Sequence, residues 1–191
     1  MIIKNKKIDH ALNNLKQGNI ILYETDTLYG LGVDATNSCA INKINKLKKR
    51  QKPLSIMLKS IDDIEQYATL EKSTVNIIEQ LLPGPFTVLL ESKQSNLSNL
   101  VQKNSNKIGI RIPKNKFCIE LLKQYKKPII TTSVNIHGQK ALNNIDEIEK
   151  IFFNIDIYKG FVNKESKGST IIDFTGETVK IIRQGDGIYK I

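Results

Sequence analysis

Residues 23–34 read Tyr-Glu-Thr-Asp-Thr-Leu-Tyr-Gly-Leu-Gly-Val-Asp, and this stretch indicates the fold class of the chain. It continues an apolar run, 19–23, that is typical of a short buried strand. The strand is predicted to end in hydroxyl side chains followed by Gly30 and Gly32. Open α/β sheets build ligand sites at the carboxyl ends of strands, where glycines admit the ligand and hydroxyls orient it. The segment alone fits an ordinary strand–loop–helix connection equally well.

Strand-like and helix-like patterns alternate along the whole chain, which predicts an α/β fold. Helices are expected at 8–17, 37–49, 60–67, 73–82, 115–124 and 145–152, and strands at 19–24, 53–58, 86–91, 107–112, 128–132, 169–174 and 178–182. Residues 92–106 are polar and are expected to form a mobile loop. The last two strands form a predicted hairpin, which favours a mixed sheet over a purely parallel one. A length of 191 residues suits one domain, 1–191.

The composition limits the kinds of molecule that the chain is expected to bind. The net charge of +10 suggests an anionic partner, either a nucleotide or RNA. A lysine-rich composition would give the same charge without any functional meaning. No apolar run approaches the roughly 20 residues that span a membrane. The first residues lack the apolar block of a secretory signal. Two cysteines, Cys39 and Cys118, are too few for a disulfide framework. A cytoplasmic location and no membrane partner are therefore expected.

Only three of the 29 basic residues are arginines: Arg50, Arg111 and Arg183. Lysine replaces arginine on a solvated surface but cannot supply a planar fork that grips a carboxylate or phosphate. Each arginine lies in a polar cluster at the end of a predicted element, which indicates an anion site. The sequence offers no evident nucleophile, carboxylate pair or phosphate-binding glycine loop. Cations and hydroxyls alone suit phosphoryl or nucleotidyl transfer by positioning and charge neutralisation.

At these clusters the chain resembles the YrdC-type threonylcarbamoyl-AMP synthase family, in its single-domain, TsaC-like form. The matching segments occur in the family's order and cover nearly all of the chain: 25–32, 48–54, 83–87, 109–113, 132–135, 169–173 and 182–185. The resemblance implies a twisted mixed α/β sheet, flanked by helices, with a wide basic cleft. It also implies a nucleotidyltransferase that converts L-threonine, bicarbonate or CO2, and ATP into threonylcarbamoyl-AMP and pyrophosphate.

The resemblance further implies a place in tRNA modification, as the first step towards threonylcarbamoyl-adenosine. The expected partners are ATP, L-threonine, bicarbonate and a downstream tRNA threonylcarbamoyl transferase complex, with weak binding of tRNA itself. ATP enters as substrate, and Mg²⁺ is expected to arrive on its triphosphate because no carboxylate of the chain stands out as a metal ligand.

Candidate site residues are assigned by matching the family's motifs position by position. The residues expected to hold threonine are Thr27, Arg111, Thr131 and Ser169. The residues expected to hold ATP are Lys48, Arg50, Lys52, Ser133, Asn135 and Arg183, with Lys48 and Arg50 assigned as catalytic. Only Gln51 separates Arg50 from Lys52, where many similar proteins have a longer spacer. The hydroxyl and amide residues also suit structural caps at strand ends.

Two other functions are compatible with the sequence. A basic cleft of this shape would also suit a non-catalytic module that binds tRNA or double-stranded RNA. Such a module should tolerate Arg111→Lys and show steep salt dependence, whereas a synthase should lose threonine-dependent turnover. The third reading is a carbamoyl-adenylate-forming domain like those of hydrogenase maturation, which the short chain and the lack of zinc-finger cysteines disfavour.

Overall fold

The computed structural model describes residues 2–3, 8–49, 52–136 and 138–190. The helices are α1 Ile8–Lys16, α2 Ser38–Lys48, α3 Lys72–Leu81, α4 Lys116–Tyr125 and α5 Ile145–Ile151. The strands are β1 Ile2–Ile3, β2 Ile21–Tyr23, β3 Gly30–Asp34, β4 Ser55–Met57, β5 Phe86–Glu91, β6 Lys107–Arg111, β7 Ile129–Ser133, β8 Asp156–Tyr158, β9 Thr170–Asp173 and β10 Lys180–Arg183.

All the strands of the described residues belong to one mixed sheet, in the order β1-β8-β2-β3-β7-β4-β6-β5-β9-β10. The terminal hairpin of β9 and β10 is antiparallel, while β5 and β9 run parallel. Helices cover both faces. One apolar cluster combines α1 and α4 with Tyr23, Met57 and Tyr158, and a larger one combines α2, α3 and α5 with the opposite side. The predicted mixed sheet flanked by helices is confirmed.

The helix boundaries follow from local capping. The Asn37 side chain accepts a hydrogen bond from the backbone N–H of Ala40 and so begins α2, and Asn115 does the same for α4 through Cys118. Gly18 has φ of +68°, the left-handed conformation that commonly follows a helix end. The predicted helix at 60–67 is instead a 3₁₀ helix, Ile61–Gln66, and the Ser60 side chain makes no capping hydrogen bond.

Residues 23–34 do not form the strand–loop–helix connection that was one of the two readings of this stretch, because a second strand follows the loop. Residues 30–34 form β3, which pairs antiparallel with both β2 and β7. A Cβ on Gly32 would lie 2.8 Å from Cε1 of Tyr23 and 2.9 Å from the carbonyl oxygen of Ile130. The glycine is therefore required for packing within the sheet. Strands β1 and β8 were also missed, because runs of two and three residues show no periodicity.

Residues 92–106, expected to form a mobile polar loop, are tied to the rest of the molecule. Val101 is fully buried, and its carbonyl accepts a hydrogen bond from Leu54. The N–H of Ser98 donates to the carbonyl of Ala35. None of the helices in the described part of the chain combines the length and apolar character needed to cross a membrane.

Gly32→Ala should destabilise the fold by about 1–3 kcal/mol, because the added methyl group meets backbone and ring atoms that have no room to move. The measurement is urea unfolding followed by circular dichroism. Gly176→Ala is the matched control, since the nearest atom to its added Cβ lies 3.7 Å away. Equal stability of the two variants would contradict the packing role of Gly32.

Asp34 joins the end of β3 to α4. Burial acts to raise the pKa of Asp34, but hydrogen bonds from Thr36, Tyr125 and Lys127 outweigh it and leave the pKa below its usual value. A lowered pKa in the folded state means that the carboxylate stabilises the fold above the unfolded pKa of about 3.9. That contribution is lost as pH falls through the folded pKa.

Asp34→Asn should therefore lower the free energy of unfolding at pH 7 by about 1–3 kcal/mol. The difference from wild type should shrink as pH falls below about 4, where the wild-type carboxylate takes up its proton. Urea titrations at pH 7 and near pH 3 measure both values. A difference that stays constant with pH would show that the ionised carboxylate does not stabilise the fold.

Candidate functional site

An open cleft with a cavity volume of about 170 Å³ lies over the middle of the sheet. This volume is smaller than the roughly 300–1,000 Å³ typical of small-molecule sites. Hydroxyls and guanidinium groups dominate its polar lining: Thr25, Thr27, Ser55, Thr87, Arg111, Thr131, Thr132, Ser133, Ser169 and Arg183. These residues come from β4, β5, β6, β7 and β10, from the β2–β3 connection, and from the segment leading into β9.

Arg111, at the end of β6, is the most constrained cation of the cleft. Its side chain is 9% exposed, and Nη2 donates to Oδ1 of Asp26 at 2.6 Å and to Oγ1 of Thr27 at 2.7 Å. Its Nε is buried and has no partner among the described residues. A buried donor without an acceptor costs free energy, so this guanidinium is held at the cleft at some expense of stability.

The turn that meets Arg111 is held by its own hydroxyls. Oγ1 of Thr25 donates to the carbonyl of Leu28 at 2.6 Å and accepts from the N–H of Thr27 at 3.1 Å. These local bonds between side chain and backbone fix a turn that would otherwise be free to vary. The turn therefore presents Asp26 and Thr27 to Arg111 across the intervening strands β3, β7 and β4.

Arg183, at the end of β10, forms the other side of the cleft. Its Nε and Nη2 donate to the carbonyl of Ser169 at 3.1 and 2.6 Å, and Oγ of Ser169 lies 2.8 Å from Oγ1 of Thr87. Burial lowers the pKa of Arg183, and the positive charge of Arg111 lowers it further, while Asp186 opposes both. Two guanidinium groups thus face one cleft closely enough to repel each other, and an anion bound between them would relieve the repulsion.

Lys48, at the end of α2, is 1% exposed and does not line the cleft. Its Nζ donates to the carbonyl of Ser133 at 2.5 Å, to the carbonyl of Asn135 at 3.0 Å and to Oδ1 of Asn135 at 2.6 Å. Oγ of Ser133 also donates to Oδ1 of Asn135. In this structure the ammonium group fixes the turn after β7 and so places Ser133 at the cleft.

The structure brings six of the candidate residues together around the cleft: Thr27, Arg111, Thr131, Ser133, Ser169 and Arg183. Lys48 and Asn135 form the support behind Ser133. Lys52 is exposed and precedes Pro53, which lines the cleft. Arg50 and the one-residue spacer, Gln51, lie outside the described residues.

Sequence reasoning left out several residues of the site. Ser55 is the one polar residue of β4, and Thr87 is the one polar residue in the buried part of β5; single polar residues in core strands were the available signal. Asp26 was read as part of a motif, but its pairing with Arg111, 85 positions away, was not foreseen. The described residues contain no group of three or more His, Cys, Asp or Glu placed to hold a metal ion.

The chain matches one family model, and it is similar to named proteins in sequence and to solved structures in fold. The model of the Sua5/YciO/YrdC family, described as "Telomere recombination", matches residues 13–185. A Methanocaldococcus jannaschii protein, whose name marks threonylcarbamoyl-AMP synthase as its candidate activity, is 36% identical over 95% of this chain and 87% of its own length. An Aliivibrio fischeri protein named threonylcarbamoyl-AMP synthase is 30% identical over 94% of this chain and 100% of its own length.

The structural comparison agrees in fold. A solved structure of P. abyssi Sua5, complexed with L-threonine, superposes with a TM-score of 0.88 and 24% identity over 97% of this chain. This chain spans 57% of the length of that protein. The similarity shows that the two share one fold.

Lys48→Met should destabilise the protein by about 1–3 kcal/mol, since it keeps the shape of the side chain but removes the donor to the carbonyl oxygens of Ser133 and Asn135. Amide hydrogen exchange should also become faster in the turn at 133–136. Lys46→Met, on an exposed position of the same helix, is the control. If both variants unfold at the same urea concentration, Lys48 does not support the turn.

Proposed function

We propose that this chain is an L-threonylcarbamoyladenylate synthase. The chain belongs to the Sua5/YciO/YrdC family, because that family's model matches residues 13–185. Its substrates would be L-threonine, bicarbonate or CO2, and ATP, and its products threonylcarbamoyl-AMP and pyrophosphate. Two relatives that match over most of their length carry the name threonylcarbamoyl-AMP synthase, which supports this function over a non-catalytic RNA-binding module. The observation that carries the proposal is a pair of arginines, the buried Arg111 and the exposed Arg183, that line one hydroxyl-rich cleft.

Threonine is proposed to bind at the Arg111 side. The guanidinium would donate to the amino-acid carboxylate, and the hydroxyls of Thr27, Thr131 and Ser169 line the same space. Because Nη2 already donates to Asp26 and Thr27, the carboxylate would bind to Nη1. The P. abyssi relative was solved with L-threonine, which supports this choice of ligand.

ATP is proposed to bind at the Arg183 side, with its phosphates against Arg183 and Ser133. Asn135 and Lys48 would hold the Ser133 turn in place, and the exposed ammonium of Lys52 would reach the phosphates from the rim. Arg50, assigned with Lys48 as catalytic from the family motif, would add a second guanidinium there. Mg²⁺ would come with the triphosphate, where it neutralises charge on the phosphate oxygens.

The chemistry needs positioning and charge neutralisation. The threonine amine and bicarbonate form a carbamate with loss of water, and a carbamate oxygen then attacks the α-phosphorus of ATP. The bond from that phosphorus to the β-phosphate oxygen breaks, and pyrophosphate leaves with the bonding electrons. The arginines of the cleft would hold the two anions within reach of each other and stabilise the charge that grows on the leaving group.

The nature of the product suggests the neighbouring step. Threonylcarbamoyl-AMP is a mixed anhydride that hydrolyses readily, so a tRNA threonylcarbamoyl transferase complex would have to consume it quickly. The net charge of +10 suits weak contact with tRNA. We propose that residues 1–191 act as one domain, in the cytoplasm, where these substrates and tRNA are found.

Purified protein should release pyrophosphate from ATP only when both L-threonine and bicarbonate are present. Arg111→Lys should lower kcat/KM for threonine about 100-fold, because the charge stays but the planar fork is lost. Lys107→Arg is the matched control, because Lys107 lies on the same strand but pairs with Asp173. It should change turnover little.

Two results would argue against the synthase. A rate of pyrophosphate release that is the same with and without L-threonine would exclude threonine as the acceptor. Full activity of Arg111→Lys, with steeply salt-dependent RNA binding, would instead support the binding module.

A further inference from the structure

Asp26 stands in the first motif of the sequence but has no assigned role. Its side chain is 10% exposed and lies against the 9% exposed side chain of Arg111. Oδ1 accepts from Nη2 of Arg111 at 2.6 Å, and Oδ2 accepts from the backbone N–H of Lys114 at 3.1 Å. The carboxylate therefore links the β2–β3 turn both to the cationic group of the cleft and to the backbone that follows β6.

A carboxylate in this position can act on ligand binding in two opposite ways. As a charge, it partly neutralises Arg111 and competes with the ligand's own carboxylate, so its removal should strengthen the binding of an anionic group. As a hydrogen-bond acceptor, it orients the guanidinium, so its removal should weaken that binding. The sign of the effect therefore distinguishes the two roles.

The geometry favours orientation. Asp26 and Thr27 both accept from Nη2, one of the two terminal nitrogens, and this fixes the rotation of the guanidinium plane. Nη1 donates to none of the described residues, so the fixed plane leaves it for a ligand. Because Oδ2 is tied to the Lys114 backbone, Asp26 cannot follow Arg111 if the arginine swings away.

We infer that Asp26 is a positioning residue for the threonine site: it holds Arg111 in the orientation that receives the amino-acid carboxylate. The inference rests on the proposed function, because it takes threonine as the ligand of Arg111. Asp26 itself touches neither substrate in this account. Its influence should appear in the affinity for threonine and leave the affinity for ATP nearly unchanged.

Asp34 supplies a matched control. It is also a buried carboxylate, 5% exposed, that joins a strand to a neighbouring element through Tyr125 and Lys127. It lies outside the cleft. Asp34→Asn should therefore cost stability in a comparable way and leave threonine affinity unaltered, which separates a general structural effect from a specific one.

The test is isothermal titration of L-threonine into the full chain in the presence of a non-hydrolysable ATP analogue. Asp26→Asn keeps the shape of the side chain but loses one acceptor oxygen, and it should weaken threonine binding about tenfold. Asp26→Ala loses both acceptor oxygens and should weaken threonine binding by up to about 100-fold. Binding of the ATP analogue should change less than twofold in each variant. Circular dichroism during urea unfolding confirms that each variant is folded.

A double-mutant cycle shows whether Asp26 acts through Arg111. In an Arg111→Lys background, the further change Asp26→Asn should have little additional effect on threonine affinity. A full tenfold loss in that background would overturn the inference, because Asp26 would then act by another route. Unchanged or tighter threonine binding by folded Asp26→Asn would overturn it as well.

Failure of the proposed function would look different. If the wild-type chain binds no threonine with the ATP analogue present, the synthase proposal and the inference both fall. If the wild type binds threonine and Asp34→Asn loses as much affinity as Asp26→Asn, only the inference falls.

Discussion

The hydrogen bonds from Arg111 to the β2–β3 turn are the interactions on which the rest of the site depends. They join the end of β6 to a turn that lies beyond three strands in the sheet order. Burying an ion pair recovers little net free energy unless the remaining donors are satisfied. Here one buried donor, Nε, has no acceptor among the described residues, so a gain in stability does not explain the arrangement.

The sheet explains why the cleft forms where it does. Strands β3, β7 and β4 are neighbours at its centre, and they supply Gly30, Thr131 with Ser133, and Ser55 to the cleft. The β2–β3 turn closes over one side, and the β9–β10 hairpin brings Arg183 to the other. Lys48 and Asn135 fix the turn after β7 from behind. A support of buried polar contacts thus holds the groups that line the cleft.

Most of the helices could be predicted from the sequence because their apolar spacing and their asparagine caps are local signals. The short strands β1 and β8 could not, since they are defined by pairing with distant strands. The same limit applies to the site. Motifs identified Thr27, Arg111, Ser169 and Arg183, which the structure gathers in one cleft. The buried position of Lys48 depended on tertiary packing that no motif shows.

The most direct test of the account is a crystal structure of the protein with L-threonine and a non-hydrolysable ATP analogue. The threonine carboxylate should lie on Arg111, with Asp26 still bonded to Nη2, and the phosphates should lie against Arg183 and Ser133. A threonine bound elsewhere in the molecule, or phosphates bound to Arg111 in place of the carboxylate, would contradict it.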